Sequence, residues 1–265
     1  MDTTGDRNAY DSHEPARYRA SFRFYAELND FLPVQRRQRP FDYSFGGRPG
    51  IKDAIEAIGV PHPEVDLIIV NGVSVDFSYR LSEGDTVSVY PVFEALDITP
   101  IVRLRPTPLR ETRFILDVHL GKLVRRLRLL GFDCAYDRQA DDREIITRSI
   151  SEYRIILTRD VALLKSGDVT HGYWVRATDP RVQVREVVDR LDLHRQVRPF
   201  TRCTVCNGFV VPADREEAMS EAPEKVRTWC EEYFRCSGCG KLYWKGTHFD
   251  SLEKFVRDVT ESDCS

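Results

Sequence analysis

The chain has 265 residues, 42% of them hydrophobic and 31% charged, with a formal net charge of −3. That length suits two or three compact units of roughly 100–150 residues each. The balance is ordinary for a soluble globular protein and excludes one whose overall charge attracts polyanions, so any nucleic-acid contact has to come from local charge.

Met1 to Ala16 is polar and lacks the apolar core of a signal peptide, and no run approaches transmembrane length, so no membrane association is expected. Seven cysteines, four of which fit a metal site, predict a reducing cytoplasm. Residues 1–15 read as a disordered tail.

From Arg17 to Phe24 apolar side chains fall on even positions, which predicts a strand with one buried face. A second strand, Phe41 to Phe45, ends at Gly46-Gly47. Ile51, Ala54, Ile55 and Ile58 recur at helical spacing, with Gly59 as the residue after the cap. Val65 to Val70 and Val73 to Phe77 flank Asn71-Gly72, a hairpin signal, and Thr86 to Val92 is the last strand.

This order predicts a β-grasp over 16–94. Through GVPHPEVDLIIVNGVSVDFSYRLSEGDTVSVYPVF it resembles the ubiquitin-like, sulfur-carrier-type family. Carriers of that family end in a free Gly-Gly. This chain instead runs on through Pro91-Val92-Phe93-Glu94, and Gly46-Gly47 is internal, where a turn is expected. The domain therefore reads as a docking module for a protein partner, with a sulfur-carrier-related scaffold as the weaker reading.

Residues 95–112, with three prolines and three arginines, read as an extended linker. From Arg113 strands and helices alternate, which predicts a parallel α/β sheet over 113–198. Phe114-Ile115-Leu116 stops at Asp117. Leu120, Leu123, Val124, Leu127 and Leu130 form a helical stripe closed by Gly131, and Phe132 to Tyr136 is the next strand. Ile145, Ile146, Ser149, Ile150 and Tyr153 mark a second helix. Arg154 to Thr158 is a strand buried on both faces, and Tyr173-Trp174-Val175 a fourth. Asp179-Pro180 opens a helix with stripe Val184, Val187, Val188 and Leu191.

Open α/β sheets bind ligands at the carboxyl ends of their strands. Asp117 and Asp160 close the first and third strands and would share one crevice if those strands are neighbours. Asp141 with Glu144 matches a capping box, which leaves Asp142 as the third acid with Asp141 as its competitor. Asp179 reads as an N-cap, with a lesser reading as a fourth acid. Clustered carboxylates suit Mg²⁺ or Mn²⁺ and the activation of water at a phosphodiester.

From 101 to 148 there are eleven Arg/Lys against seven Asp/Glu. Lys122, Arg125, Arg126, Arg128 and Arg159 are the candidate phosphate contacts, with a solvated helix face as the equal alternative. His119 is placed for proton transfer or for a plain surface role. Cys134 is expected in the core.

Over 199–250, Cys203-Thr204-Val205-Cys206 is answered by Cys236-Ser237-Gly238-Cys239. Two such knuckles suit one structural zinc, and a unit this small needs a metal for stability. Cys230 is at most an alternative ligand, and Cys264 has no assigned role. Aromatic and basic residues alternate through Lys241-Leu242-Tyr243-Trp244-Lys245, which suits either stacking on single-stranded RNA or sealing the ribbon against its neighbour. Residues 251–265 read as a short helix and tail.

The blocks FILDVHLGKLVRRLRLLGFD, ADDREI, RIILTRD, RCTVCNG and CSGCGKLYWKGTH, in this order, resemble the Mut-seven C-terminal RNase family, a PIN-like nuclease domain with a zinc ribbon. The resemblance implies a metal-dependent ribonuclease. Asp117, Asp142 and Asp160 would be its catalytic, metal-holding acids, and Cys203, Cys206, Cys236 and Cys239 its zinc ligands. Where many relatives carry a methionine-leucine-type pair, this chain has Val118-His119-Leu120. The fold expectation is thus an α+β and α/β multidomain chain: β-grasp, PIN-like domain, zinc ribbon. The alternative function is a non-catalytic RNA-binding or ribosome-associated adaptor.

Overall fold

The computed structural model describes residues 17–91 and 112–261, which belong to two compact units. The expected tail (1–15), nearly all of the expected linker (95–111) and Cys264 lie outside the described residues.

In the first unit β1 (Arg17–Phe24) and β2 (Phe41–Gly46) pair antiparallel, with Phe22 opposite Phe41. Helix α1 (Ile51–Ile58) follows, then β3 (Val65–Val70), β4 (Val73–Val75) and β5 (Thr86–Pro91). The sheet order is β2-β1-β5-β3-β4, with β1 and β5 parallel at its centre and the other pairs antiparallel. Ala20, Phe22 and Phe24 are buried as the alternation predicts, while Tyr18 is largely exposed. Ile51, Ala54, Ile55 and Ile58 of α1 cover the same face.

Asn71 (φ 51°) and Gly72 (φ 83°) both have positive φ, which is the primed turn that matches strand twist and sets Val70 opposite Val73. The returning strand stops at Val75, short of the expected Phe77. There the Asp76 carboxylate accepts hydrogen bonds from the Ser78 N–H and hydroxyl, a side-chain turn that ends the ladder.

The second unit contains β6 (Arg113–Leu116), α2 (Gly121–Leu129), β7 (Asp133–Ala135), α3 (Asp142–Ser151), β8 (Ile155–Thr158), α4 (Val161–Leu164), β9 (Gly172–Trp174) and α5 (Pro180–Arg190). All pairs are parallel, in the order β7-β6-β8-β9. Phe114 and Leu116 enter the core shared with α2 and α5, while Ile115 enters the one shared with α3 and α4. Every member of the predicted α2 stripe is buried. Gly131 (φ 93°) ends that helix, and a Cβ there would lie 2.0 Å from the Arg198 carbonyl oxygen. The predicted α3 stripe is cut short: Ile145 and Ser149 are buried, but Ile150 is exposed and Tyr153 lies beyond the helix at φ 53°, 75% exposed.

The ribbon is an antiparallel sheet of β10 (Val210–Pro212), β11 (Tyr233–Cys236) and β12 (Leu242–Trp244), with α6 (Arg215–Glu221) and α7 (Glu224–Arg227) inserted after β10. The last helix, α8 (Phe249–Thr260), buries Phe255, Val256 and Val259 beside Val184 and Val187 of α5. The segment expected as a short helix and tail is therefore part of the central core.

Candidate acidic and metal centres

Strands β6 and β8 are hydrogen-bonded neighbours, and β7 leaves β6 on the opposite side. Their carboxyl ends therefore form the point where the strand order reverses, the usual ligand crevice of an open parallel sheet. Asp117 follows β6 and is 5% exposed. Its Oδ2 accepts from the Thr158 hydroxyl at 2.7 Å, and the same Thr158 oxygen accepts from the Asp160 N–H at 2.8 Å. Asp160 Oδ1 caps α4 by accepting from the Ala162 N–H at 2.7 Å.

Asp142 stands at the start of α3. Asp142 is exposed, yet partial desolvation, then the charges of Asp160, Asp117 and Asp141, push its carboxyl above the ordinary range. Asp117 is a buried carboxylate with a single hydrogen-bond donor, and among the described residues no cation pairs with Asp117, Asp142 or Asp160. A buried charge without a partner is costly, and a divalent ion at this mouth would offset that cost. The arrangement is open: among the described residues only the cysteine quartet has three or more donor atoms all within 4.8 Å of one another. Mg²⁺ keeps several waters and takes only one or two direct carboxylates, which an open mouth allows. The two competing acids serve as caps. Asp141 accepts from the Glu144 N–H at 2.8 Å, and Asp179 from those of Arg181 and Val182.

A cleft of about 1300 Å³ is lined by Val118 and the first turns of α2, by Tyr136 to Gln139, by Arg159 and by Thr204 and Val205; Asp117, Asp142 and Asp160 do not line it. His119, Lys122, Arg125 and Arg138 line it with Arg159, all exposed, and Asp137 is the one acid in its wall. Two of the expected phosphate contacts are placed otherwise. Arg128 touches the cleft wall but is 4% exposed, and its guanidinium is spent on the carbonyls of Cys134 and Val205. Arg126 lies 5.3 Å over the Phe255 ring, against α8.

The four sulfurs of Cys203, Cys206, Cys236 and Cys239 converge, with Cys203–Cys239 at 3.7 Å and Cys206–Cys236 at 3.3 Å. Tetrahedral zinc with Zn–S bonds of about 2.3 Å sets sulfurs about 3.8 Å apart, so this quartet can hold a metal such as zinc. Amide N–H groups of Val205, Gly208 and Gly238 point at the sulfurs, and the Tyr243 hydroxyl sits 3.1 Å from Cys203 Sγ. Gly208 is required here, since a Cβ would come within 2.9 Å of Cys236 Sγ. Cys230 is not part of the group: it is buried with Ala218 and Tyr233, and its thiol donates to the Glu232 carbonyl. Cys134 is wholly buried, and burial pushes its thiol far up.

The model of the Mut7-C RNAse domain matches residues 112–256, and the Mut7-C ubiquitin model matches 18–97. The chain belongs to the Mut7-C RNAse domain family. None of the curated proteins compared with it matches. The RNAse domain points to nuclease-type function on RNA, and the ubiquitin-like domain to protein interaction. No helix among the described residues is long and apolar enough to cross a membrane.

Within the Mut7-C RNAse domain the sequence reading missed several working residues. Thr158 stands in the quoted RIILTRD block but received no role, because its partner Asp117 is 41 positions away. Tyr136 donates to the Val118 carbonyl at 2.8 Å and rests on Gly121, where a Cβ would be 2.7 Å from its hydroxyl. Asn207 joins the first knuckle to β7. Arg128 carried a signal of its own, since it follows Val124 by four positions and so lies on the buried stripe.

Proposed function

We propose that this Mut7-C protein is a metal-dependent ribonuclease that hydrolyses RNA phosphodiester bonds. The observation that carries this reading is Asp117: a buried carboxylate without a cationic partner among the described residues, at the switch point of the parallel sheet and one residue before Val118, which lines a basic cleft. In it Asp117, Asp142 and Asp160 hold Mg²⁺ or Mn²⁺, which when bound supplies an activated water and charge neutralisation at the leaving oxygen. Thr158 orients Asp117 and ties it to the Asp160 backbone. Lys122, Arg125 and Arg159 hold the phosphates and draw the strand to the acids. The cysteine quartet holds a structural zinc, and the ubiquitin-like domain docks a protein partner.

The test is cleavage of single-stranded RNA with Mg²⁺ or Mn²⁺ by the wild type and by Asp117→Asn. The substitution is expected to lower turnover by about a hundredfold or more. Equal cleavage by the two would sink the reading. The openness of the acidic mouth favours one second reading, an RNA-binding adaptor without turnover. Tight RNA binding with no metal-dependent cleavage would select it.

A further inference from the structure

A second cavity, about 360 Å³, lies between the ribbon sheet and the start of α8. Its walls are aromatic: Phe200, Phe234, Tyr243, Trp244 and Phe249, with the part-exposed Leu252 beside them. Phe200 and Phe249 already pack ring to ring at 5.0 Å. Arg202 and Lys245 also line the cavity, and among the described residues no acidic one does; Arg202 is already held by the Asn207 carbonyl, by Asp133 and over the Phe209 ring, which leaves Lys245 as the cation open to a ligand. Among the described residues the Trp244 indole N–H donates to no acceptor, and Trp244 lines the cavity. Lys245 meets Glu232 at 2.9 Å, but both are more than half exposed, and such a pair is weak enough for a phosphate to displace.

This composition selects a flat, aromatic, anionic ligand. Aromatic faces take any base by stacking, cations take its phosphate, and an indole N–H takes a ring carbonyl or nitrogen. The volume is that of a site for one small group. An apolar peptide would use the rings but not Lys245. Position strengthens the choice: Thr204, on the first knuckle, lines both this cavity and the basic cleft. A strand leaving the cleft at Thr204 meets the aromatic pocket next.

We propose that this pocket captures one unstacked base of a single-stranded RNA whose backbone lies along the basic cleft. The inference rests on the RNA substrate proposed above, yet capture does not require cleavage. The ribbon then grips the strand at a fixed reach from the acids and excludes duplexes, whose bases are paired.

The test is fluorescence anisotropy of labelled single-stranded oligoadenylate with the full zinc-loaded chain and no added divalent ion. An RNA duplex of equal length and free AMP are the comparisons. Leu252→Trp fills the pocket and Lys245→Glu reverses its charge, so one variant stands if the other fails to fold. Both are expected to weaken single-strand binding about tenfold or more, leave duplex binding unchanged and retain their zinc. Normal single-strand binding by both pocket variants would overturn the proposal, as would AMP binding as tightly as the oligomer. So would an apolar peptide that loses affinity in Leu252→Trp while RNA binding stays intact. Cleavage that fails in the wild type while pocket variants still weaken binding would sink the nuclease reading alone. Asp117-dependent cleavage with normal binding by both pocket variants would sink this one alone.

Discussion

Thr158 is wholly buried, and one hydroxyl serves two acids: it donates to Asp117 and accepts from the Asp160 N–H. Thr158→Val keeps the shape and strands both partners, at a cost of about 1–3 kcal/mol for each unsatisfied group. A lower thermal midpoint and an RNA turnover reduced about 10- to 100-fold are expected, with Thr158→Ser restoring both. Asp133 offers a pH test. Burial works against its charge, but hydrogen bonds from Arg154 and Asn207 and the charges of Arg154 and Arg202 outweigh burial and hold its carboxyl below the usual range. A depressed carboxyl contributes stability above its unfolded value, about 3.9, that is lost as pH falls through the folded one. Asp133→Asn is therefore expected to lower the urea midpoint at neutral pH, with the gap to wild type closing in acid. The position of Asp117 at the end of a buried strand was legible, because the apolar run Phe114-Ile115-Leu116 stops there. The roles of Thr158 and Asp133 were not, since their partners arrive from distant parts of the chain.

At the scale of elements, the first knuckle does more than offer two sulfurs to a metal. Asn207 Oδ1 accepts from the Cys134 N–H at 3.0 Å, its Nδ2 donates to Asp133 at 2.8 Å, and Arg128 donates to the Val205 carbonyl at 2.7 Å. Asn207→Ala removes the Cys134 acceptor and is expected to cost about 1–3 kcal/mol by chemical denaturation without loss of zinc. The strand and helix order of the ubiquitin-like unit, and of 113–190 apart from the one-turn helix α4, was readable from the switch between two-residue and helical periods. Helices α6 and α7 were overlooked although Asp214 and Glu217 carry the same Asp-x-x-Glu signature as Asp141 and Glu144, and Asp214 does cap α6. Between two cysteine knuckles, a charged stretch with few apolar residues gives no periodicity to find. The place of α8 was also hidden: its apolar stripe is plain, but which core receives it depends on the chain's return past α5.

At the scale of the whole molecule, each unit has a core of its own, one around Phe22, Ile55 and Ile68, the other around Phe114, Leu123 and Val187. A zinc chelator is expected to lower one of two calorimetric transitions and leave that of the ubiquitin-like unit in place; a uniform shift of both would contradict this. Because the knuckle is fastened to β7, the loss reaches past the ribbon. Strand β7 borders the central sheet, and the outward N–H and carbonyl of Cys134 are taken by Asn207 and Arg128 rather than by another strand. These two side chains act as a stopper on a sheet border that would otherwise template a foreign strand. If the quartet holds zinc, removing it is expected to make the chain self-associate as well as lose stability, which light scattering after chelation would read.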